Sequence, residues 1–375
     1  MIYNKSKYNQ QWSTKRLSEL GVFSRGKSKH RPRNDERLFE GGGYPLVQTG
    51  DIKDANLYIT KHTQEYGEFG LKQSKLWDTE TLCITIAANI AETALLSYPM
   101  CFPDSVVGFR AFKETSSEKF MYYVFSYIRQ AIKNAASGSI QDNINIEYLT
   151  SLYFKVPSKK IQDNIVSILS CIDEKLLINQ QINDNLAVMI CDFYMHEFFR
   201  REPNGKLGDI ISEEKKSTIQ VGTAKDLNGE YPFFTSGDAV LSCDKPLVNN
   251  RICLLNTGGN ADVKFYVGPA SYSTDTWCIT GTDGLSDYLF TLLYSIKQEL
   301  NLKFFLGTGL KHLQKPLLKN RPIYVPNEIE LKTFNSIAMP AYTTISSNQR
   351  ENRALVALRD WLLPMLMNGQ ATIED

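Results

Sequence analysis

Hydrophobic residues recur at alternating spacings of three and four along two long segments of this 375-residue chain, the spacing of a coiled-coil seam. In 159–197 the seam positions are Ile165, Ile168, Ile172, Lys175, Asn179, Ile182, Leu186, Met189 and Phe193. The corresponding positions 169 residues later are Phe334, Ile337, Ala341, Thr344, Asn348, Glu351, Leu355, Leu358 and Leu362. We therefore predict two long helices that pair as a coiled coil, with two ordinary core helices as the alternative.

Both predicted helices carry an asparagine at the same seam position, Asn179 in the first and Asn348 in the second. A polar residue in a seam lowers stability but fixes the register of the two helices. Pro340 lies inside the second segment and removes a backbone hydrogen bond, so a kink or a late start is expected there.

The rest of the chain repeats as well. "YPLVQTGD" (44–51) returns as "YPFFTSGD" (231–238) at an offset of 187, and the offset is 190 near Leu17. It falls to 170 where Cys83 matches Cys253, which predicts about 17 residues missing from the second copy. From Ser126 onward it stays at 169. This ordered series indicates a tandem duplication in which Gly-Asp forms the same turn in each copy.

Each copy follows one plan: a strand-rich stretch, an amphipathic helix (118–136 or 285–300), a glycine loop, a Val-Pro and a long helix. We expect globular domains at 1–157 and 200–327, a long helix at 158–199, and a second long helix with a C-terminal tail at 328–375. The predicted fold class is α+β, with the two long helices paired antiparallel. Two mixed α/β domains, related by a pseudo-two-fold axis, are then separated by the helix pair.

Composition narrows the class of protein. With 42% hydrophobic and 22% charged residues, the chain has the mix of a soluble globular protein. Neither a membrane span nor a signal peptide is apparent, and the seven cysteines include no Cys-x-x-Cys pair. We expect a cytoplasmic protein with reduced thiols. The four histidines are scattered, which gives a metal site no support.

The strongest binding signal is the basic stretch "RGKSKHRPRNDER" (25–37). It predicts a loop suited to DNA phosphates and to guanine readout, although a solvated surface loop would have the same composition. Its candidate DNA-binding residues are Arg25, Lys27, Lys29, His30, Arg31, Arg33 and Arg37.

Further candidates lie at matching places in the two copies, in segments that ordinary turns would also use. Their polar side chains can hydrogen-bond to phosphates and base edges. In the first copy they are Gln48, Thr49, Ser139, Gln141 and Asn143. In the second copy they are Lys215, Lys216, Lys225, Thr235, Ser236, Lys264, Thr308, Lys311 and His312.

Several catalytic motifs are missing from the sequence. It contains no dinucleotide-binding Gly-x-Gly-x-x-Gly, no nucleophile elbow and no His-Glu-x-x-His. Nor does it contain the Asn-Pro-Pro-aromatic or Asp-Pro-Pro-aromatic string of aminomethyltransferases. The chain is therefore expected to bind rather than to catalyse.

Taken together, these features resemble the specificity (S) subunits of type I restriction–modification systems. The resemblance rests on "WSTKRLSELG" (12–21), the repeated Tyr-Pro and Gly-Asp motifs, the glycine loops and the two Val-Pro segments. The ending "LRDWLLPMLMNGQ" (358–370) is also similar to the close of that family.

The resemblance implies a division of labour. Each globular domain would be a target recognition domain that reads half of a bipartite, asymmetric DNA site, and the coiled coil would set the spacer. The partners would be double-stranded DNA, two methyltransferase subunits and motor–nuclease subunits. S-adenosylmethionine, ATP and magnesium would be bound by those subunits, and this chain would hold no cofactor. The alternatives are an S-type subunit of a solitary or fused methylation system, and a coiled-coil scaffold that does not bind DNA.

Overall fold

The computed structural model describes residues 2–137, 144–225 and 229–371. The chain divides into two compact units. The first comprises Met1–Ile178 and Arg353–Asp375, and the second comprises Asn179–Asn352. Each unit includes part of each long helix: residues 159–178 and 353–367 belong to the first unit, and residues 179–197 and 328–352 belong to the second.

Helices are found in both units. In chain order they are α1 (Thr49–Asp54), α2 (Glu68–Gln73), α3 (Glu118–Ser137), α4 (Ile146–Ser151), α5 (Lys159–Glu197), α6 (Val221–Ala224), α7 (Ser286–Ser295), α8 (Lys297–Glu299), α9 (Lys315–Lys319) and α10 (Glu328–Met367). Among the described helices, none combines the length and the hydrophobicity that a bilayer span requires.

The first unit holds a five-stranded sheet of order β2-β10-β7-β8-β4, a four-stranded sheet of order β5-β3-β9-β6, and the pair β1-β11. Its strands are β1 (Ser13–Arg16), β2 (Gly21–Arg25), β3 (Tyr44–Leu46), β4 (Tyr58–Ile59), β5 (Gln64–Tyr66), β6 (Leu76–Trp77), β7 (Leu82–Thr85), β8 (Thr93–Leu96), β9 (Met100–Cys101), β10 (Val106–Ala111) and β11 (Tyr153–Val156).

The second unit holds a six-stranded sheet of order β13-β18-β16-β17-β14-β15 and the pairs β12-β21 and β19-β20. Its strands are β12 (Gly205–Lys206), β13 (Ile211–Glu213), β14 (Tyr231–Phe234), β15 (Val240–Cys243), β16 (Val248–Asn256), β17 (Val263–Tyr272), β18 (Thr276–Gly281), β19 (Phe305–Leu306), β20 (His312–Leu313) and β21 (Pro322–Ile323).

Strand register confirms the duplication. β1 pairs with β11 through Lys15 and Phe154, and β12 pairs with β21 through Gly205 and Ile323, at offsets of 190 and 169. Likewise β3 lies parallel to β9 and β14 lies parallel to β17. Leu46 faces Cys101 in the first pair and Phe233 faces Ser271 in the second, at offsets of 187 and 170. Residues that the repeat makes equivalent therefore occupy equivalent positions in the sheets of the two units.

The shortening of the second copy falls mainly between the first two strands of this motif. Tyr44 faces Tyr66 in the first unit, and Tyr231 faces Cys243 in the second, so the offset drops from 187 to 177. In the first unit the connection contains α1 and β4, whereas in the second it is the short turn 235–239.

The matching of Cys83 with Cys253 is wrong by one residue. Cys83 faces Ala94 across β7 and β8, and the residue that faces the equivalent Lys264 is Leu254. Side chains alternate along a strand, so one residue of error exchanges the two faces of the sheet. Cys253 accordingly lies in the core beneath α7, whereas Cys83 lies in a core on the opposite face.

Each unit buries an amphipathic helix against its main sheet. In the first unit, α3 contributes Phe120 and Val124 to a core that also contains Ile165 of α5 and Leu366 of α10. In the second unit, α7 contributes Leu289 to a core that contains side chains of α5 and α10, among them Ile190, Tyr194, Phe334 and Tyr342. Both long helices are therefore part of the hydrophobic core of each unit.

Local signals define the ends of the long helices. α5 follows Pro157, and it contains neither glycine nor proline over its 39 residues. At the start of α10, Asn327 Oδ1 accepts hydrogen bonds from the backbone of Ile329 and Glu330, each 3.0 Å long. Glu330 in turn accepts from the Asn327 backbone at 2.9 Å, completing a capping box. Beyond its end lies Gly369, with a φ of +75°, a conformation that glycine adopts readily.

Of the two outcomes expected at Pro340, a kink or a late start, the late start is wrong, because α10 begins at Glu328 and continues as one helix through Pro340. A proline removes one backbone donor, and the cores of the second unit that surround Phe334 and Tyr342 hold the helix on both sides of it.

Half of the predicted seam is displaced by one residue. Ile182 and Met189 are exposed, whereas Asn183 and Ile190 are buried. The same shift occurs in α10, where Leu358 is exposed. A helical face recurs every 3.6 residues, so both three-four and four-three spacings describe one stripe. The hydrophobic cores of the sheets also pack against these helices, and in α5 they bury Asn183 and Ile190 rather than Ile182 and Met189.

Candidate nucleic-acid interface

The basic loop of the first unit begins directly after β2 and is attached to the sheet by its backbone. Gly26 donates to the carbonyl of Val106 at 2.8 Å, and Lys29 donates to the carbonyl of Gln73 at 3.1 Å. A Cβ at Gly26 would lie 2.2 Å from the Pro103 carbonyl oxygen, so only glycine fits this approach. The loop therefore starts from a fixed point.

Asp104 neutralises part of the loop. Its carboxylate lies 2.5 Å from Arg33 Nη2 and 3.4 Å from Arg31 Nη2. Its backbone carbonyl accepts a hydrogen bond of 2.6 Å from Arg25 Nε. These three arginines are exposed, yet each is oriented by the same aspartate.

Asp35 is a second counter-charge within the loop. Arg37 and His30 bond to its carboxylate at 2.6 Å and 2.7 Å, and these bonds hold the pKa of Asp35 well below its usual range. Lys27 and Lys29 are exposed and form no ion pair with any residue that the structure describes. Of the seven predicted residues, these two lysines are the least committed to intramolecular bonds.

The candidates Gln48 and Thr49 lie at the start of α1. Gln48 Nε2 donates to Gln64 Oε1 at 3.0 Å, and Thr49 is half-buried as the first residue of the helix. Asp51 accepts a bond of 2.7 Å from the Gln48 backbone. Gly50 and Asp51 therefore begin a helix here, and the expectation that Gly-Asp forms the same turn in both copies is wrong.

In the second unit the equivalent motif forms the turn between β14 and β15. Thr235 is 5% exposed, and its hydroxyl donates to the carbonyls of Gly237 and Ala239 at 3.1 Å and 2.8 Å. Lys264 donates to the Thr235 carbonyl at 3.0 Å and also to the Gly237 carbonyl. Thr235 and Lys264 thus hold the turn from within, and Ser236 is presented at its half-exposed tip.

The hairpin β19-β20 presents a further set of candidates. Thr308 and His312 are exposed, and the Lys311 carbonyl accepts a bond of 2.9 Å from Gly259 in the turn after β16. The structure therefore brings two glycine-containing turns of this unit together. The first-copy candidates Ser139, Gln141 and Asn143 lie outside the described residues.

Lys215, Lys216 and Lys225 are exposed. Sequence reasoning missed two further lysines of the second unit, Lys315 and Lys319. Lys319 Nζ lies 2.5 Å from Glu213 Oε1 at the end of β13, and the charges of Lys319 and Lys216 lower the pKa of Lys315. Their spacing of four within the short helix α9 was the available signal, because that spacing places two side chains on one helical face.

Asn179 is completely buried, and its side-chain amide donates to Glu351 Oε2 at 2.7 Å and to Asn352 Oδ1 at 2.8 Å. Asn348 donates to Asn183 Oδ1 at 2.9 Å. Asn179 of α5 thus pairs with Asn352 of α10, and Asn183 pairs with Asn348, so these two segments are antiparallel.

Within the described residues, no group of three or more His, Cys, Asp or Glu side chains could hold a metal ion.

Fold and surface together define a duplicated binding protein, in which one sheet architecture occurs twice and carries different polar loops. The chain belongs to the family of type I restriction modification DNA specificity domains, whose sequence model matches residues 9–187 and 203–352.

Two specificity subunits and one solved S-subunit structure are similar to this chain. The chain is 21% identical to the type I restriction enzyme MjaIX specificity subunit of Methanocaldococcus jannaschii, over 97% of this chain and 94% of that one. A putative MjaX specificity subunit of the same organism is 24% identical over 39% of this chain and 33% of its own. In fold, the chain is similar to a type I S subunit from M. genitalium, with a TM-score of 0.64, 16% identity and complete coverage of both chains.

Proposed function

We propose that this chain is the DNA-recognition subunit of a type I restriction–modification complex. Each unit would read one half of a bipartite, asymmetric DNA sequence. The observation that carries the proposal is the duplication, in which strand registers are kept while the connections between strands differ. Two copies of one scaffold with different loops suit two different half-sites, since loops on a rigid scaffold commonly carry recognition.

The loops with a recognition role would be the basic loop of the first unit and the turn 235–239 and hairpin β19-β20 of the second. Lys27 and Lys29 would contact phosphates, because no described carboxylate pairs with them. Ser236 would reach a base or phosphate from the turn that Thr235 and Lys264 hold.

The long helices would set the spacer between the half-sites and dock two methyltransferase subunits. Exposed apolar side chains along α5 support a docking role, among them Ile182, Val188 and Met189, at 38%, 59% and 44% exposure. Adenine methylation and DNA cleavage would occur in the methyltransferase and motor–nuclease subunits. Those subunits would bind S-adenosylmethionine, ATP and magnesium.

The decisive experiment is to express the chain with its methyltransferase subunits and to map methylated adenines in the host DNA. A bipartite motif with a fixed, unspecified spacer is expected. Exchanging the second unit for that of another S subunit should change only one half of the motif. A continuous motif, or no methylation in a correctly assembled complex, would overturn the proposal and favour a scaffold that does not bind DNA.

A further inference from the structure

Four lysines lie on one part of the second unit. Lys215 and Lys216 follow β13, while Lys315 and Lys319 occupy the two ends of α9. Lys215 and Lys216 are exposed, and the other two are half-buried. The cluster is formed by segments about 100 residues apart in the sequence, so it exists only in the folded chain.

Two lysines of this cluster, Lys315 and Lys319, pack over the ring of Trp277 in β18. Its ring is 4% exposed, and Lys315 Nζ lies 4.7 Å and Lys319 Nζ 5.8 Å from the ring centroid. Ammonium groups at these distances are attracted to an indole face. The indole N–H donates to Glu213 Oε2 at 2.9 Å, and Lys319 Nζ lies 2.5 Å from Glu213 Oε1.

Positive charge exceeds negative charge in this cluster. Burial lowers the pKa of Lys315, and the Lys319 and Lys216 ammonium groups lower it further, against the opposite effect of Glu213. The neighbouring Glu214 accepts instead from Asn250, at 3.3 Å. Glu213 and Glu214 thus carry two negative charges next to the four lysines of the cluster, and an anion that bound among these lysines would relieve their repulsion.

The repeat relates this cluster to the basic loop. Lys215 corresponds to Arg25 at the offset of 190 that the pairing of β13 with β18 preserves. The counterparts of Lys315 and Lys319 at the offset of 169 are Ile146 and Thr150 of α4. The first unit thus carries its positive charge on a loop after β2. The second carries it on both the segment after β13 and a nearby helix.

We propose that Lys216, Lys315 and Lys319 form a phosphate-binding site for the DNA backbone in the second unit. This proposal rests on the proposed function. It gives the second unit a contact with DNA phosphates that, in the first unit, the basic loop after β2 would make. An acidic surface of a partner protein is the competing ligand. DNA is favoured because Lys216 directly follows Lys215, which is the position equivalent to Arg25 at the start of the basic stretch.

The test compares two charge-matched double variants of the full chain in its methyltransferase complex. Lys315→Gln/Lys319→Gln removes two cluster charges, and Lys297→Gln/Lys303→Gln removes two lysines of the same unit that pair with Asp262 and Glu299. Binding to duplex DNA carrying the mapped site is measured between 50 and 200 mM salt, roughly the range over which phosphate contacts dominate the salt dependence.

For the cluster variant we expect the slope of log K against log salt to become shallower by about 1.8, since each phosphate contact contributes about 0.9. The control slope and the methylated sequence should not change. An unchanged slope in the cluster variant would overturn the proposal. A second result would also overturn the proposal: a cluster variant that binds DNA normally but no longer assembles with its methyltransferase subunits. That result would identify an acidic protein surface as the ligand.

Two measurements separate the possible failures. If the wild-type complex neither binds nor methylates DNA, the proposed function fails, rather than the assignment of these lysines. If the cluster variant does not fold, Glu213→Gln replaces it, because this change removes the carboxylate that pairs with Lys319 and leaves every lysine in place. Tighter DNA binding and a slope at least as steep as that of the wild type are then expected, and weaker binding by the folded variant would contradict the proposal.

Discussion

The side-chain amide of Asn179 donates a hydrogen bond of 2.8 Å to Oδ1 of Asn352. The repeat offset of 169 converts this pair into Asn348 and Asn183, which are joined by the equivalent bond of 2.9 Å. The polar layer of the helix pair is thus built twice from the same two positions. A shift in register would leave the buried amide of Asn179 without its partners, at a cost of about 1–3 kcal/mol.

The proposed role of the helices as a spacer can be tested without disturbing these bonds. Seven residues are inserted between Asn179 and Asn183, and seven more between Asn348 and Asn352. Each helix then lengthens by about 10 Å. Methylation mapping should show a spacer about 3 base pairs longer, with both half-sites unchanged, since base pairs rise about 3.4 Å. Insertion into α5 alone is the control and should lower stability. A change in the half-site sequences would contradict the assigned roles.

A buried ion pair in the first unit predicts a large loss of stability. Arg359 Nη1 lies 2.9 Å from Asp173, whose side chain is fully buried and also accepts a bond of 2.7 Å from Tyr123. Arg359→Leu leaves this carboxylate without a counter-charge and should lower the free energy of unfolding by roughly 3–5 kcal/mol. Chemical denaturation measures the change. Asp360→Asn, at an exposed partner of the same arginine, should change it by less than about 0.5 kcal/mol.

Gly26 should control the placement of the basic loop. In Gly26→Ala the new Cβ would meet the carbonyl oxygen of Pro103, so the loop must move away from the sheet. We expect DNA binding to weaken, with the effect confined to the first half-site. Gly50→Ala is the matched control, because a Cβ at this position of α1 meets nothing within 4 Å. Equal DNA affinity of the two variants would show that the loop does not contact DNA.

Lys264 should act by positioning the turn rather than by contacting DNA. Its ammonium group bonds to the carbonyls of Thr235 and Gly237, so Lys264→Met should loosen the turn that carries Ser236. Methylation mapping should show relaxed reading of the second half-site only, with an unchanged salt slope of binding. Lys297→Met is the control, since Lys297 shares Asp262 with Lys264 and has no bond to the turn among those described. A slope reduced by about 0.9 would instead indicate a phosphate contact.

Glu213 gives a prediction for pH. Bonding to Lys319 lowers the pKa of Glu213 in the folded chain, so its ionised form stabilises the fold above the unfolded pKa of about 4.3. That contribution is lost as pH falls through the folded pKa. Wild type should therefore be more stable than Glu213→Gln at pH 7, and the difference should disappear in acid. Denaturation curves from pH 7 to pH 3 measure it, and a difference independent of pH would exclude an ionic origin.

The sequence by itself determined the duplication, the existence of the two long helices and the family. Offsets between copies survive folding because homologous strands keep their partners, as Leu46 with Cys101 and Phe233 with Ser271 demonstrate. Helix ends were predictable for a similar reason, because Pro157 and the Asn327–Glu330 cap act on neighbouring residues alone.

Tertiary structure decided what depends on contacts between distant segments. The counterpart of Cys83 by strand pairing is Leu254, one residue away from the Cys253 that the sequence comparison selected. Sequence similarity is too weak to fix the register of a strand to one residue. Which side of α5 is buried depended on the sheet cores packed against it, which cover Ile190 and leave Met189 exposed.

The same division applies to the candidate interface. Composition located the basic loop, but only the fold placed Asp104 against its arginines and thereby distinguished them from Lys27 and Lys29. It also brought α9 to the end of β13 and so joined Lys315 and Lys319 to lysines of a distant segment, which no local pattern could show. Charges interact through space, and their balance at a surface is set by the folded chain rather than by the order of residues along it.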